Sequence, residues 1–142
     1  MNEAVAPPLG GVLETGLYVE DLDRARRFYE GVMGLRPMFV DGRLAAYPAA
    51  PGSVLLLFRQ GTTDAPAHLP GGTIPGHDGQ GRLHYALAVA AEHLDAWAER
   101  LAAHGVPLEG RVDWPKGSRS LYFRDPDGHL VELATPGLWK NY

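Results

Sequence analysis

The stretch Arg124-Asp-Pro-Asp-Gly-His-Leu-Val-Glu-Leu133 decides how the fold of this chain is interpreted. Within it, Asp125-Pro-Asp-Gly128 is typical of a tight turn, because proline presets φ at the second position and glycine accepts a positive φ. Apolar runs on both sides of the turn, at 121–123 and 130–133, predict a β-hairpin. Side chains alternate along a strand, so Glu132 lies on the face opposite its two apolar neighbours. A carboxylate in such a strand faces either solvent or a functional cavity.

Composition excludes several kinds of site and partner. The chain has 142 residues, enough for one compact domain or two small modules that share a core. It has no cysteine, so any metal must be held by His, Asp and Glu. The net charge of -4 argues against a nucleic-acid partner. Without a long apolar run or a recognisable signal peptide, we expect no membrane partner and a cytoplasmic location.

Periodicity divides the chain into two similar halves. The first half predicts a strand (13–19), a helix (22–33) that Asp21 caps and Gly34 closes, and three strands (37–41, 44–47 and 53–59). The second half predicts a strand (82–90), a helix that starts near 94 and stops at Gly105, and three strands (106–113, 121–123 and 130–133). The segment between them, 60–81, is rich in glycine and proline and predicts a long surface loop.

The order strand, helix, three strands occurs twice, so each half is a βαβββ unit. Aligning the strands places Glu14 opposite His84 and Leu56 opposite Glu132. We expect an α+β fold in which the two units form a curved mixed sheet around a cleft. The predicted domain covers 12–134 and is followed by a C-terminal tail (135–142). Its parts are module 1 (about 12–59), the loop (60–81) and module 2 (about 82–134).

Strand parity predicts which side chains face that cleft. The apolar residues on the other strand faces are expected under the helices: Leu17, Val19, Leu87, Val89, Val131 and Leu133. By elimination, Glu14, His84 and Glu132 face the cleft. A histidine and two carboxylates that converge form a facial site for a divalent metal, with positions open to water or substrate. The fourth equivalent position holds Leu56, which cannot bind a metal.

The chain resembles the vicinal oxygen chelate superfamily, which includes glyoxalase I, extradiol dioxygenases, and fosfomycin- and bleomycin-resistance proteins. The matching residues are Leu17-Tyr-Val-Glu-Asp-Leu22, Phe28-Tyr29, Gly34-Leu35, Gly81-Arg-Leu-His84 and Phe123-Arg-Asp-Pro-Asp-Gly-His-Leu-Val-Glu-Leu133. The resemblance covers about 12–134 and implies paired βαβββ modules with metal ligands on the first and last strand of each.

Two residues match the ligand positions of that family directly, His84 and Glu132. Glu14 stands where many members have His or Gln, and Leu56 stands where glyoxalase I has a carboxylate. The resulting three-ligand site is more similar to those of dioxygenases and fosfomycin enzymes, although these usually present two His and one Glu.

The resemblance implies a metal-dependent enzyme that acts on a small molecule with adjacent oxygens. The chemistry is that of a lyase or isomerase, or of a dioxygenase, with Fe, Mn, Zn, Ni or Mg as a Lewis acid. Glu14 and Glu132 are the candidate general bases. The alternative is a metal-free antibiotic-binding protein of the bleomycin-resistance type. The family also implies a homodimer, with which the apolar tail is consistent.

Four further side chains are candidates for the substrate cleft: Tyr47, Leu56, Tyr122 and Arg124. Cross-strand aromatic residues more often simply pack, so packing is the competing interpretation for the two tyrosines. His129 follows the turn glycine, and we expect it at the surface.

Overall fold

The computed structural model describes residues 4–142. Module 1 contains β1 (Glu14–Val19), α1 (Leu22–Arg26) with a π-helical continuation (Arg27–Val32), β2 (Phe39–Val40), β3 (Leu44–Ala50) and β4 (Ser53–Arg59). The connecting segment contains β5 (Ala67–Leu69) and β6 (Gly72–Ile74). Module 2 contains β7 (His84–Ala88), a 3-10 turn (Ala91–His93), α2 (Leu94–Ala103), β8 (Gly110–Asp113), β9 (Arg119–Arg124) and β10 (Leu130–Ala134).

Each module forms its own four-stranded mixed sheet, in the orders β1-β4-β3-β2 and β7-β10-β9-β8. The parallel pairs are β1 with β4 and β7 with β10, which are the first and last strands of each module along the chain. The other pairs are antiparallel. Glu14 pairs with Val54, two residues before Leu56. His84 pairs with Leu130, two residues before Glu132. The equal registers agree with the alignment of the two halves, and the two-module α+β fold predicted from the sequence is confirmed.

The first helix begins and ends as its sequence predicts. The Asp21 carboxylate accepts a hydrogen bond from the Arg24 backbone N–H at 3.0 Å, which satisfies one of the free donors at the helix start. Gly34 ends the helix with φ +73°, a conformation that suits glycine. No helix within residues 4–142 is long and apolar enough to cross a membrane.

The helix-covered faces of both sheets contribute to one hydrophobic core. The Phe28 ring from module 1 lies 6.4 Å from the Phe123 ring of module 2, centroid to centroid. Four of the residues predicted under the helices are fully buried: Leu17, Val19, Val131 and Leu133. Leu87 and Val89 are only partly buried against this core. Because side chains alternate along a strand, Glu14 and His84 each project from the face of their sheet that points away from this core.

The connecting segment 60–81 has more structure than the sequence predicts. It contains the β5–β6 hairpin, whose strands are too short to show a periodicity, although Pro70-Gly71 marks a turn. The segment is also anchored, because the His77 N–H donates to the Thr63 carbonyl at 2.8 Å and the Thr63 hydroxyl donates to the His77 carbonyl at 2.7 Å. The His77 ring Nδ1 lies 2.7 Å from the Tyr18 hydroxyl of β1.

Candidate metal centre

Module 2 brings His84 and Glu132 together on the sheet face turned away from the core. The two residues lie on the adjacent parallel strands β7 and β10. His84 Nε2 is 3.3 Å from Glu132 Oε1. The Glu132 side chain is only 7% exposed, whereas that of His84 is 51% exposed, so a small ligand can reach the pair from the histidine side.

Neighbouring side chains fix the orientation of the Glu132 carboxylate. Its Oε2 accepts hydrogen bonds from the Ser120 hydroxyl at 2.7 Å and from the Tyr122 hydroxyl at 3.1 Å. Ser120 in turn accepts a hydrogen bond from Trp114 Nε1 at 2.8 Å. Burial raises the pKa of Tyr122, and the negative charge of Glu132 raises it further, so this phenol stays protonated as a donor. These bonds leave Oε1 directed at His84.

The hydrogen bonding of His84 determines which ring nitrogen is available. Its Nδ1 lies 2.9 Å from the Leu130 carbonyl oxygen, which can only accept, so Nδ1 carries a proton. In the neutral ring, Nε2 then presents a lone pair to a carboxylate oxygen. Two acceptors in contact are stable only when a proton or a cation lies between them. A ligating histidine that donates its other N–H to a carbonyl is typical of protein metal sites, so the pair fits a divalent metal.

The third predicted ligand, Glu14, lies elsewhere in the same chain. Glu14 is exposed on β1, which belongs to the other sheet. Residues 4–142 contain no group of three or more His, Cys, Asp or Glu side chains that could hold a metal ion. Glu14 and His84 lie on the first strands of two separate sheets, and the opposite faces of these sheets contribute to the shared core. One chain therefore presents two of the three predicted ligands in contact.

Two of the candidate cleft residues are engaged in other contacts. Tyr47 is fully buried and donates a hydrogen bond to Glu30 Oε2 at 2.9 Å, so it belongs to the core beneath the first helix. Its expected position in the cleft is wrong, because Tyr47 pairs with the core residue Leu55. Arg124 forms an ion pair with Glu109 at 2.9 Å, which occupies its guanidinium group.

The other two candidates lie on the polar sheet faces. Tyr122 lies beside Glu132, as its hydrogen bond shows. Leu56 is half-buried and pairs with Gly16, on the same face of module 1 as Glu14. Sequence reasoning assigned no role to Ser120 and Trp114. Strand parity does indicate the first of these, because Ser120 and Tyr122 are two positions apart on β9.

The turn that precedes β10 joins the two modules instead of lying at the surface. His129 is fully buried, so its predicted surface position is wrong. Its Nδ1 accepts a hydrogen bond from the Leu83 N–H at 2.9 Å, and its Nε2 donates to the Tyr18 carbonyl at 2.8 Å. Asp125 accepts a hydrogen bond from the Tyr29 hydroxyl at 2.8 Å, and burial raises the pKa of this carboxyl group.

Comparison of the chain with known proteins identifies its family. The family model of the Glyoxalase/Bleomycin resistance protein/Dioxygenase superfamily matches residues 11–133. The Metallothiol transferase FosB of Shouchella clausii is 31% identical over 129 residues, which cover 89% of this chain and 81% of that protein.

Solved structures agree with this family. A lactoylglutathione lyase from Agrobacterium tumefaciens superimposes with a TM-score of 0.84 at 35% identity, over 94% of this chain and 99% of that one. The fosfomycin resistance protein FosX of Listeria monocytogenes superimposes with a TM-score of 0.67 at 21% identity, over 92% of this chain and 97% of that one. At that lower identity, the second likeness shows the fold alone.

Proposed function

The chain belongs to the Glyoxalase/Bleomycin resistance protein/Dioxygenase superfamily, and from this premise we propose that it is a divalent-metal-dependent enzyme. Its substrate is a small molecule with two adjacent oxygens. The observation that carries the proposal is the contact of 3.3 Å between His84 Nε2 and Glu132 Oε1. Both atoms present lone pairs, because the proton of the neutral His84 ring lies on Nδ1, which donates a hydrogen bond to the Leu130 carbonyl.

His84 would bind the metal through Nε2, and Glu132 would bind it through Oε1. A nitrogen and carboxylate donor set suits Fe, Mn, Zn, Ni or Mg. When bound, such an ion supplies Lewis acidity that polarises a substrate oxygen. The protein's part is to hold the Glu132 carboxylate in place through Ser120 and Tyr122.

We assign the third donor to Glu14 of a second copy of the chain. Glu14 is exposed and occupies the position in module 1 that His84 occupies in module 2. A homodimer that sets module 1 of one copy against module 2 of the other would bring it to the His84–Glu132 pair. The Glu14 carboxylate is then the candidate general base, because Glu132 Oε2 already accepts two hydrogen bonds and Glu132 Oε1 contacts His84.

Among the reactions of the family, we favour non-oxidative chemistry. Three relatives with at least 30% identity over most of the chain are named as metallothiol transferases, in two cases, and as a lactoylglutathione lyase. Proton transfer or nucleophilic addition at a polarised substrate requires the residues described above and no redox change. A lyase or transferase is therefore the proposed reaction class, in preference to a dioxygenase.

Metal content and affinity test the proposal. The wild-type protein and the variants His84→Gln, Glu132→Gln and Glu92→Gln are dialysed against mixed divalent ions and analysed by mass spectrometry. We expect about one ion per chain in the wild type, and metal affinity lower by about 100-fold or more in the first two variants. Glu92 is exposed, so the Glu92→Gln control should bind metal normally. A wild-type protein without metal would contradict the proposal and favour the metal-free binding protein.

Mixing two defective proteins tests the shared site. Glu14→Gln and Glu132→Gln are co-refolded in equal amounts. If each site takes donors from two chains, half of the dimers are mixed, and each mixed dimer regains one intact site. Metal occupancy should then recover to about a quarter of the wild-type value. If all the ligands came from one chain, mixing would restore nothing.

A further inference from the structure

Both lysines of the chain line one cavity. Lys116 and Lys140 are the only lysines in the sequence, and they border a cavity of about 580 Å³ at the end of module 2. Two of the three tryptophans, Trp114 and Trp139, also line it. Lysine ammonium groups and flat apolar rings therefore border the same cavity.

The cavity is built from two hydrogen-bonded segments. One is the turn between β8 and β9, in which the Trp114 N–H donates to the Ser118 carbonyl at 2.8 Å. The other is the C-terminal segment, which folds back on its own module when the Tyr142 hydroxyl donates to the Ala134 carbonyl at 2.9 Å. The Gly137 N–H also donates to the Tyr142 carbonyl at 2.6 Å. The walls are therefore held by backbone bonds on both sides.

The two lysines supply the positive charge of this cavity. Within residues 4–142, neither lysine is among the cations that pair with a carboxylate. The chain carries a net charge of -4, yet both of its lysines border this one cavity. Trp139 is 70% exposed, which leaves a large apolar ring available to a ligand. A lysine pair attracts anions, and tryptophan offers a flat surface for stacking.

One residue of the cavity is linked to the proposed metal centre by hydrogen bonds. Trp114 borders it and also donates through Nε1 to the Ser120 hydroxyl, which donates to Glu132 Oε2. A ligand that contacts the Trp114 ring is thus two hydrogen bonds from the carboxylate.

We propose that this cavity is a binding site for a small organic anion, a carboxylate attached to a flat apolar group. Lys116 and Lys140 bind the carboxylate, and Trp139 stacks on the apolar part. The cavity would hold a second substrate, or the far end of the substrate bound at the metal, only if the proposed function is correct. The binding of the anion itself does not depend on the proposed function.

Calorimetric titration of the metal-free full-length chain with naphthalene-2-carboxylate tests the site. The neutral alcohol 2-naphthalenemethanol serves as the matched ligand without charge. We expect the carboxylate to bind at least about tenfold more tightly than the alcohol. The double variant Lys116→Gln/Lys140→Gln should weaken carboxylate binding by about tenfold or more and leave the alcohol unaffected.

The double variant Arg36→Gln/Arg43→Gln provides the charge-matched control, since both arginines are exposed on the other module. Equal binding by the wild type and the double lysine variant would overturn the proposal. An equal loss in the Arg36→Gln/Arg43→Gln protein would also overturn it, because the effect would then be that of net charge. Since the titration is done without metal, carboxylate binding by a protein that takes up no metal would support this site while contradicting the proposed enzyme.

Discussion

Replacing His129 by alanine removes a link between the two modules. The wild-type ring accepts from the Leu83 N–H at 2.9 Å and donates to the Tyr18 carbonyl at 2.8 Å. Both backbone groups would lose their partner in a buried region, and each such loss costs about 1–3 kcal/mol. With the packing lost around a fully buried ring, we expect the free energy of unfolding to fall by about 3–5 kcal/mol. Small domains have only about 5–15 kcal/mol in total.

Urea denaturation followed by tryptophan fluorescence measures this loss. With a slope of about 1–3 kcal/mol per molar urea, the midpoint should fall by roughly 2 M. His104→Ala is the matched control, because His104 is exposed at the end of α2 and its removal should change stability by less than about 0.5 kcal/mol. His129→Gln should fall between the two, since an amide can both donate and accept. A loss below about 1 kcal/mol in His129→Ala would refute the bridging role.

Three further predictions follow from buried polar groups. Tyr29→Phe should lower the free energy of unfolding by about 1–3 kcal/mol in the same urea assay, because the buried Asp125 carboxylate loses the hydrogen bond that it accepts from the Tyr29 hydroxyl at 2.8 Å; an unchanged free energy would contradict this. Burial raises the pKa of Tyr29 and of Tyr85 in the folded protein. The stability that they contribute is therefore complete below pH about 10 and is lost above it, at about 1.4 kcal/mol per pH unit for each phenol. Urea titrations from pH 9 to 11 measure this loss, and a flat profile would argue against neutral buried phenols. Ser120→Ala should weaken metal binding about tenfold in a calorimetric titration, because Glu132 Oε2 loses its shorter hydrogen bond; unchanged affinity would show that this bond does not position the carboxylate.

The fold was accessible from the sequence because it depends on local patterns. Alternation along the strands placed Val131 and Leu133 in the core, and the structure buries both. The repeat was also visible in the sequence, because Glu14 and His84 begin strands with the same alternation of side chains. In the structure, each of them pairs with a residue two positions before Leu56 or Glu132. Asp21 and Gly34 act through the residues next to them in the chain, so their roles needed no knowledge of distant contacts.

The predictions that strand periodicity could not decide concern how strands and modules come together. His129 follows a turn, and nothing near it in the sequence indicates that Tyr18, 111 residues earlier, accepts its hydrogen bond. Tyr47 could be assigned to a sheet face only from its pairing with Leu55, which depends on the register of β3 against β4. The separation of Glu14 from His84 depends on how two modules pack, and strand periodicity contains no information about that.

The cross-module bonds of the turn before β10 also bear on how the chain folds during synthesis. They join residues that are 96, 107 and 111 positions apart in the sequence: Tyr29 with Asp125, Glu20 with Asp127, and Tyr18 with His129. Module 1 leaves the ribosome first, but the polar groups at the end of its first strand wait for partners that are translated almost last. Contacts between such distant positions form slowly. Module 1 alone would therefore remain an exposed intermediate during translation, and the native state would be reached only after residue 129 has emerged.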